Sequence, residues 1–351
     1  MNRVIRLAGR AGRRGRRHAP APVVLQTSPD LPEFACRPRP VVAVCHPDWR
    51  GIRSATYAQG LPVVESSDVG RSSPEILSML NAAGTRMVII NGSPPGTDQF
   101  AKEATAHGLL VRVVLHSSMA QHGSEPPEAV VASRLCEMVQ DGIIDALGFA
   151  KEGQAEAFSA MGCPAVFVPS RTVRLDAVAS RPLGSGRHFG VFAEASWRKN
   201  VVTQLGAVAI LGGTAHVTFR PDVGYLSGGP KLVEHGLVSR QAFFETLAST
   251  DQNLAVSLYE CFPVLAQESY WLGTPCLMSR TSALFRNDPQ LWEIATVAEH
   301  DNPRAIAGAA ERLLEASATD GLVARAQAWM VRWNDATLDQ WASFADPDTR
   351  V

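Results

Sequence analysis

Hydrophobic positions along this chain come in short, predominantly apolar runs, separated by longer segments in which apolar residues return at helical spacing. Those of the first half are Val41–Cys45, Pro62–Val64, Arg86–Ile90, Leu109–Leu115, Ala146–Phe149 and Ala165–Val168. Those of the second half are His188–Ala193, Ala215–Phe219, Leu254–Leu258, Cys276–Met278 and Ile294–Val297. A run with no polar alternation is the pattern of a strand buried on both faces, as in a parallel sheet. Between the runs the spacing predicts helices: one beginning near Ile52, then Ser73–Ala83, Thr97–His107, Glu128 to about Ile144, and Gln154–Met161. In the second half they are Val201–Leu211, Ser239–Leu247, a helix after Pro263, Arg304–Leu314 and a tail helix from Leu322 to about Phe344. Ser73 and Ser239 are read as N-caps, with Pro74 at the first helical position of its helix. The segment 224–236 is read as irregular. Strands alternating with helices in this way specify an α/β protein built from parallel sheets.

Residues 171–187, with Pro182, Gly184 and Gly186, have a linker's composition and divide the pattern in two. The expected organisation is a domain over 40–170, a linker over 171–187, a second domain over 188–320 and a terminal helical segment over 321–351. The chain length of 351 residues suits two domains of ordinary size. A hydrophobic content of 46% with 19% charged residues marks a globular protein with ample core, and no apolar run is long enough to span a membrane.

Charge is uneven. Residues 1–20 hold seven arginines and no acidic residue, although the whole chain has a formal charge of −1, so the remainder carries −8. Such an arm suits anionic partners, either nucleic acid or a membrane surface. The favoured expectation is a disordered basic, Pro-rich leader over 1–39, with peripheral membrane contact kept as an option and nucleic acid disfavoured. Six scattered cysteines without a CxxC pair are expected to be reduced, buried thiols of a cytoplasmic protein.

The chemistry concentrates in Asn253–Ser279. The apolar strand there ends in the tight loop Tyr259–Pro263, and a helix follows until Gly273. Pro263 suits the first helical position, where its missing N–H costs nothing. Glu260 falls in the loop at the strand's carboxyl end, and Glu268 falls eight residues on, in the helix. The crevice beyond strand ends is where open α/β sheets bind ligands, and the N–H groups of Phe262 and Val264 at the helix start suit a phosphate. The unit thus offers polar acceptors for sugar hydroxyls beside an anion site, the alternative being an ordinary βαβ unit with two solvated glutamates.

The run ECFPVLAQE, followed by LGTP, resembles the E-x7-E signature of retaining, nucleotide-sugar-dependent glycosyltransferases of the family 4 type. Those enzymes have the GT-B fold: two Rossmann-like domains facing a cleft, with the C-terminal helix crossing back to the first. Cys261 stands where that family usually has Gly. The resemblance implies that Glu260 takes sugar hydroxyls, Glu268 the ribose, and His116, after VVL, the transferred sugar from the opposite domain. It implies that Lys199, with Arg198 beside it, neutralises the donor diphosphate. The family's usual Arg falls on Glu194, a departure. On the acceptor side the Gly51 loop, with His46, Arg50 and Arg53, stands in for the family's glycine loop but lacks the Gly pair, and VFVPS ends the first domain without the family's Asn-Gly. A structural role is the alternative for His116, and His122, six residues on, is easily mistaken for it. The tail residues Trp329, Trp333 and Trp341 are read as core packing that anchors the crossing helix, in preference to sugar stacking.

The implied activity is transfer of a sugar from a nucleoside diphosphate sugar to an unknown glycan, lipid or other acceptor, with retention. No metal and no cofactor is expected beyond the nucleotide sugar as co-substrate. A different nucleotide-sugar enzyme on the same fold, such as an epimerase, or a non-catalytic binding protein, motivated by Glu194, are the alternatives.

Overall fold

The computed structural model describes residues 25–26, 41–121, 128–171, 174–221 and 229–349. The Arg-rich arm and His122 lie outside the described residues. The first domain runs β1 (Leu25–Gln26), β2 (Val41–Cys45), α1 (Arg50–Tyr57), β3 (Val63–Glu65), α2 (Ser73–Ala82), β4 (Met87–Asn91), α3 (Thr97–Ala106), β5 (Leu110–Leu115), α4 (Glu128–Gln140), β6 (Ala146–Phe149), α5 (Gln154–Ala160) and β7 (Ala165–Phe167). Its sheet has the order β1-β3-β2-β4-β5-β6-β7, parallel except that β1 pairs antiparallel with β3. The edge strand β1 comes from the stretch expected to be leader.

The second domain runs β8 (His188–Val191), α6 (Val201–Leu211), β9 (Thr214–Val217), β10 (Lys231–Glu234), α7 (Arg240–Ser249), β11 (Gln252–Ala255), α8 (Val264–Trp271), β12 (Cys276–Ser279), α9 (Pro289–Ala295), β13 (Thr296–Val297) and α10 (Pro303–Thr319). Its parallel sheet has the order β10-β9-β8-β11-β12-β13. In both sheets the order reverses beside the first parallel strand, which opens a crevice at the carboxyl ends. Helices α11 (Leu322–Ala336) and α12 (Leu338–Phe344) close the chain.

The apolar runs form the sheet interiors: Val41, Val42, Ala43, Val44 and Cys45 are all buried, as are Met87, Val88, Ile89 and Ile90. Helices cover both faces of the first sheet, so it packs two cores. One is built on Val42, Val44, Val88 and Ile90, the other on Val41, Ala43, Met87 and Ile89.

The second of those cores is completed by the far end of the chain. Trp341, Phe344 and Ala345 are buried within it, and Trp341 Nε1 donates to Pro169 O at 2.6 Å. Gly148 makes room: a Cβ there would lie 2.8 Å from Val168 and 3.1 Å from Phe344. The buried guanidinium of Arg112, on β5, donates to Asp145 at 2.7 Å, to Phe344 O at 2.7 Å and to Thr349 O at 2.6 Å. Helix α11 stays with the second domain, where Leu322, Ala326, Trp329 and Met330 are buried. Trp333 sits at the junction, stacked between Trp329 and Phe262, and donates to Ser170 O at 3.0 Å. The tail therefore crosses back as expected, but in two helices broken at Thr337, and its tryptophans are core.

Several expectations are corrected. Ser73 is not an N-cap; Ser72 holds that place without a side-chain capping bond, and Ser73 Oγ donates to Glu103 on the neighbouring helix. Ser239 does cap its helix, accepting from Ala242 N. Pro263 precedes α8 as its cap residue, in extended conformation. The strand placed at Leu254–Leu258 runs Gln252–Ala255, because Val256–Leu258 turn away to pair with the 198–204 region. Within the segment read as irregular, Lys231–Glu234 forms edge strand β10, whose mixed polarity hid it. Ile294 belongs to α9, capped by Asp288, and only Thr296–Val297 is strand. Cysteines 136 and 163, expected to be reduced, are joined in a disulfide, because α4 packs beside the turn after α5 and brings their Cα atoms to 5.7 Å. Cys45, Cys261 and Cys276 are buried free thiols.

Arg112 holds the terminal segment on the first domain through charge-assisted bonds in the interior. Replacing it with Met is expected to lower unfolding stability by about 3 kcal/mol and to speed cleavage within 337–349. Chemical denaturation and limited proteolysis check both.

Candidate active site

The site is built where the carboxyl ends of β8 and β11 meet. After β8 the chain makes a single 3-10 turn, Trp197–Lys199, and passes through Asn200 in the left-handed region at φ 54°, a conformation asparagine tolerates well. Asn200 Nδ2 then donates to His300 O at 2.6 Å and to Val256 O at 3.2 Å. Gln204 receives Val256 N–H at 3.1 Å and donates to Lys199 O at 2.7 Å, and Leu258 N–H reaches Arg198 O at 2.8 Å. These bonds bolt the β8 loop to the β11 loop, so Arg198 and Lys199 face Glu260 although sixty residues separate them in sequence.

Lys199 Nζ lies 2.6 Å from Glu260 Oε2, and Arg198 Nη1 lies 3.7 Å from the same oxygen. Glu260 Oε1 accepts Cys261 N–H at 3.3 Å. Burial alone raises this carboxyl, but the charge of Lys199, then that of Arg198, outweighs it and holds Glu260 below the usual range. Glu260 is thus an ionised, fixed acceptor. Arg198 also pairs with the exposed Glu194 and lies over the Tyr259 ring at 5.8 Å. Two cations here meet two carboxylates, so the local charge is balanced before any ligand arrives.

Glu268 is set apart from that cluster. It sits on α8, half-buried, and the nearest charge acting on it is Arg240 of α7. Burial exceeds that attraction and pushes its carboxyl up to about 7. Phe262 is buried against Trp333, and its side chain is structural. The useful part of this turn is its backbone: the first N–H groups of α8, Val264 among them, have no intrahelical acceptor by position.

Across from this cluster are strand ends of the first domain. His116, just past β5, places Nε2 2.9 Å from Asn91 Oδ1, and Gln59 Nε2 donates to that same oxygen at 2.5 Å. Burial pushes His116 down to about 4, so it is a neutral imidazole with Nε2–H donating and Nδ1 left as an acceptor. Lys151, just past β6, donates to Glu260 O at 3.0 Å and to Thr281 O, and Glu152 pairs with Arg286. Glu128, at the start of α4, is half-buried, raised by burial and drawn down by Ser117 and the charge of Arg198. The carboxyl ends of both sheets therefore face each other and touch.

The acceptor-side residues are placed differently from the expectation. Gly51 is the second residue of α1, exposed, with open space around it, and forms no glycine loop. His46 stacks on Trp49 at 4.7 Å and its Nδ1 accepts Asp48 N–H at 3.1 Å, so it holds its own turn. It is Arg50, at the start of α1, that reaches the second domain, lining a small cavity with Phe192, Thr218 and His235. A larger cavity, about 350 Å³ around Arg187, Gly213 and Lys231, opens at the opposite end of the second sheet, away from this cluster.

Sequence reading missed Lys151, Asn91 and Gln59. Asn91 is the last residue of β4 and Lys151 lies just past β6, the one signal available, but their partners lie in distant segments. Among the described residues no group of His, Cys, Asp and Glu converges on a metal position, and no helix is long and apolar enough to cross a membrane.

Because Glu194 competes for Arg198, the Glu194→Gln variant is expected to hold a small polyanion such as pyrophosphate about fivefold more tightly than wild type, the scale of one partly exposed ion pair. Calorimetric titration of wild type and variant checks this.

No protein-family model matches this chain, and no curated protein matches it in sequence. Solved structures do. The apo structure of OtsA aligns with a TM-score of 0.59 at 13% identity, over 89% of this chain and 99% of the other. Sucrose-phosphate synthase from Thermosynechococcus elongatus aligns at 0.56 with 14% identity, over 87% and 98%. The E. coli trehalose-6-phosphate protein bound with UDP-2-fluoro glucose aligns at 0.54 with 12% identity, over 86% and 97%. At these identities the likeness concerns the fold, and the fold is that of GT-B glycosyltransferases: two parallel-sheet α/β domains whose strand ends face each other.

Proposed function

We propose that this protein is a glycosyltransferase that moves a sugar from a nucleoside diphosphate sugar to an acceptor, with retention of anomeric configuration. The observation that carries the reading is the Arg198–Lys199–Glu260 cluster, held at the carboxyl ends of β8 and β11 and facing the first domain. Two cations beside free helix N–H groups suit a departing diphosphate, whose growing negative charge is the electrostatic demand of the reaction. The ionised Glu260 suits sugar hydroxyls as an acceptor. Neutral His116 offers Nδ1 to a hydroxyl from the opposite domain. Glu268, about one turn into α8, suits the two ribose hydroxyls. A nucleotide sugar in the aligned E. coli structure supports this class of donor. A sugar phosphate as acceptor fits too, since an aligned trehalose-phosphate synthase from Burkholderia xenovorans carries glucose-6-phosphate.

In this scheme no carboxylate of the chain acts as nucleophile. The acceptor hydroxyl attacks the anomeric carbon on the face the diphosphate leaves, and its proton passes to the departing phosphate. Lys199 and Arg198 exchange Glu260 and Glu194 for phosphate oxygens as the donor binds. Lys151 closes the first domain on the Glu260 loop, excluding water that would hydrolyse the donor. A second reading, nucleotide binding without turnover, is favoured by one observation, the Glu194 carboxylate on Arg198.

Incubation with an α-linked nucleotide sugar and candidate sugar phosphates, followed by NMR of the anomeric proton, is expected to give an α-linked product. A β-linked product would overturn retention, and binding without product would favour the second reading. Lys199→Ala is expected to lower kcat about 100-fold or more in steady-state assays.

Glu268 gives a pH signature. Its folded carboxyl, raised to about 7, binds a proton that the unfolded chain releases at its ordinary lower value, so the folded state loses stability as pH rises from about 4.5 to 7. Its ionised form is the one that accepts two hydroxyls, so nucleotide affinity is expected to rise between pH 6 and 8. Glu268→Gln is expected to flatten both slopes and to bind nucleotides about tenfold more weakly. Thermal melts with and without nucleotide across that range check it.

A further inference from the structure

Three histidines of the second domain form a continuous hydrogen-bonded row. His188 Nδ1 lies 3.0 Å from His216 Nε2, and His216 Nδ1 lies 2.8 Å from His235 Nε2. They stand on β8, on β9 and just after β10, with ring centroids 5.2 and 5.1 Å apart. His188 and His216 are buried, while His235 is half-buried and lines a cavity of about 30 Å³. Phe192 and Phe243 wall that cavity, edge to face at 5.4 Å, and Arg50 of the first domain closes it. The sequence reading gave these histidines no role.

The row fixes a tautomer. Each N···N contact needs one proton. Burial, then the adjacent imidazoles, pushes His216 down to about 4, and burial lowers His235, so these two are neutral near pH 7. Geometry gives His188 one ring proton, since a second would sit on Nε2, a buried atom with no partner among the described residues. Two proton arrangements remain. In one, every N–H points inward, and an N–H at His188 Nε2 is stranded in the core, where that atom has no partner among the described residues. In the other, every N–H points outward, His188 Nε2 keeps only a lone pair, and His235 Nδ1 carries the last proton. An orphaned buried N–H is the rarer defect, so the outward arrangement wins. His235 then offers Nδ1–H as a fixed donor.

We propose that His235 Nδ1–H, its tautomer set by His216 and His188, recognises a carbonyl oxygen on the base of the nucleotide donor, and so selects uracil or guanine over adenine. This inference rests on the transferase reading. The cavity lies at the carboxyl ends of β8, β9 and β10, the ligand side of the sheet. Helix α7 connects it to the ribose position, because Phe243 of α7 walls the cavity while Arg240 of the same helix acts on Glu268. A cavity of about 30 Å³ admits the edge of a base and not a whole ring, which leaves the rest of the ring against Arg50 and the two phenylalanines. A carbonyl oxygen meets the donor, whereas the exocyclic amino group of adenine presents a second donor to it and leaves both unpaired.

The test has two arms. Nitrogen-15 spectra of the free protein are expected to show His235 protonated at Nδ1; protonation at Nε2 would overturn the proposal without reference to any nucleotide. Calorimetric titration with UDP, GDP and ADP is expected to show UDP or GDP bound at least tenfold more tightly than ADP. His235→Phe should reduce that preference to within about threefold, and His235→Gln, whose amide keeps an N–H, should restore part of it. A merely structural histidine would change all three affinities together, the pattern expected of Glu268→Gln. Equal affinities in the wild type, or a preference that survives His235→Phe, would overturn base selection and leave the transferase reading standing. Binding of none of the three to the wild type would overturn both.

Discussion

Compensation of one largely buried carboxylate organises the functional end of this protein. Glu260 keeps only 17% of its side chain exposed, and an unpaired charge there would be costly. Lys199 and Arg198 supply the counter-charge, and they can do so only because Asn200 and Gln204 pin their loop to the β11 loop. The geometry of the β8 turn, the left-handed Asn200 and the early end of β11 all follow from holding these three side chains together. Without a ligand the cations are already satisfied, so an incoming anion must win them from carboxylates.

The second constraint is the placement of one domain on the other. The linker supplies connection, but position comes from the tail. Trp333 bridges the domains at Ser170, Trp341 is buried under the first sheet, and Arg112 fastens the chain end from the interior. On the cleft side, Lys151 donates to two loops of the second domain. The tail attachments bury Trp341, Phe344 and the Arg112 guanidinium, whereas the cleft contacts are a few polar bonds between loops.

The elements were largely legible in the chain because buried parallel strands leave predominantly apolar runs. The exceptions share a cause. Edge strand β10 faces solvent and carries Lys231 and Glu234, so it had no such run. Ile294 looked like strand because α9 is a short helix whose apolar residues fall close together. Ser73 looked like a cap until a neighbouring helix offered Glu103 as its partner. The disulfide joins cysteines whose proximity depends on how α4 packs, which spacing does not encode.

The candidate site divides the same way. Local sequence determined that Glu260 ends a strand, that Glu268 follows on a helix, and that two cations sit in the loop after the second domain's first strand, because each is a property of one continuous segment. Tertiary structure alone decided which of these meet. It put Lys199 on Glu260 and left Glu268 with Arg240, turned Gly51 into an ordinary helical residue, and brought Lys151 across the cleft. It also aligned three histidines from separate strands into one hydrogen-bonded row. Sequence specifies periodicity and capping over a few residues, whereas charge pairing and burial depend on distances between segments that only the packed fold sets.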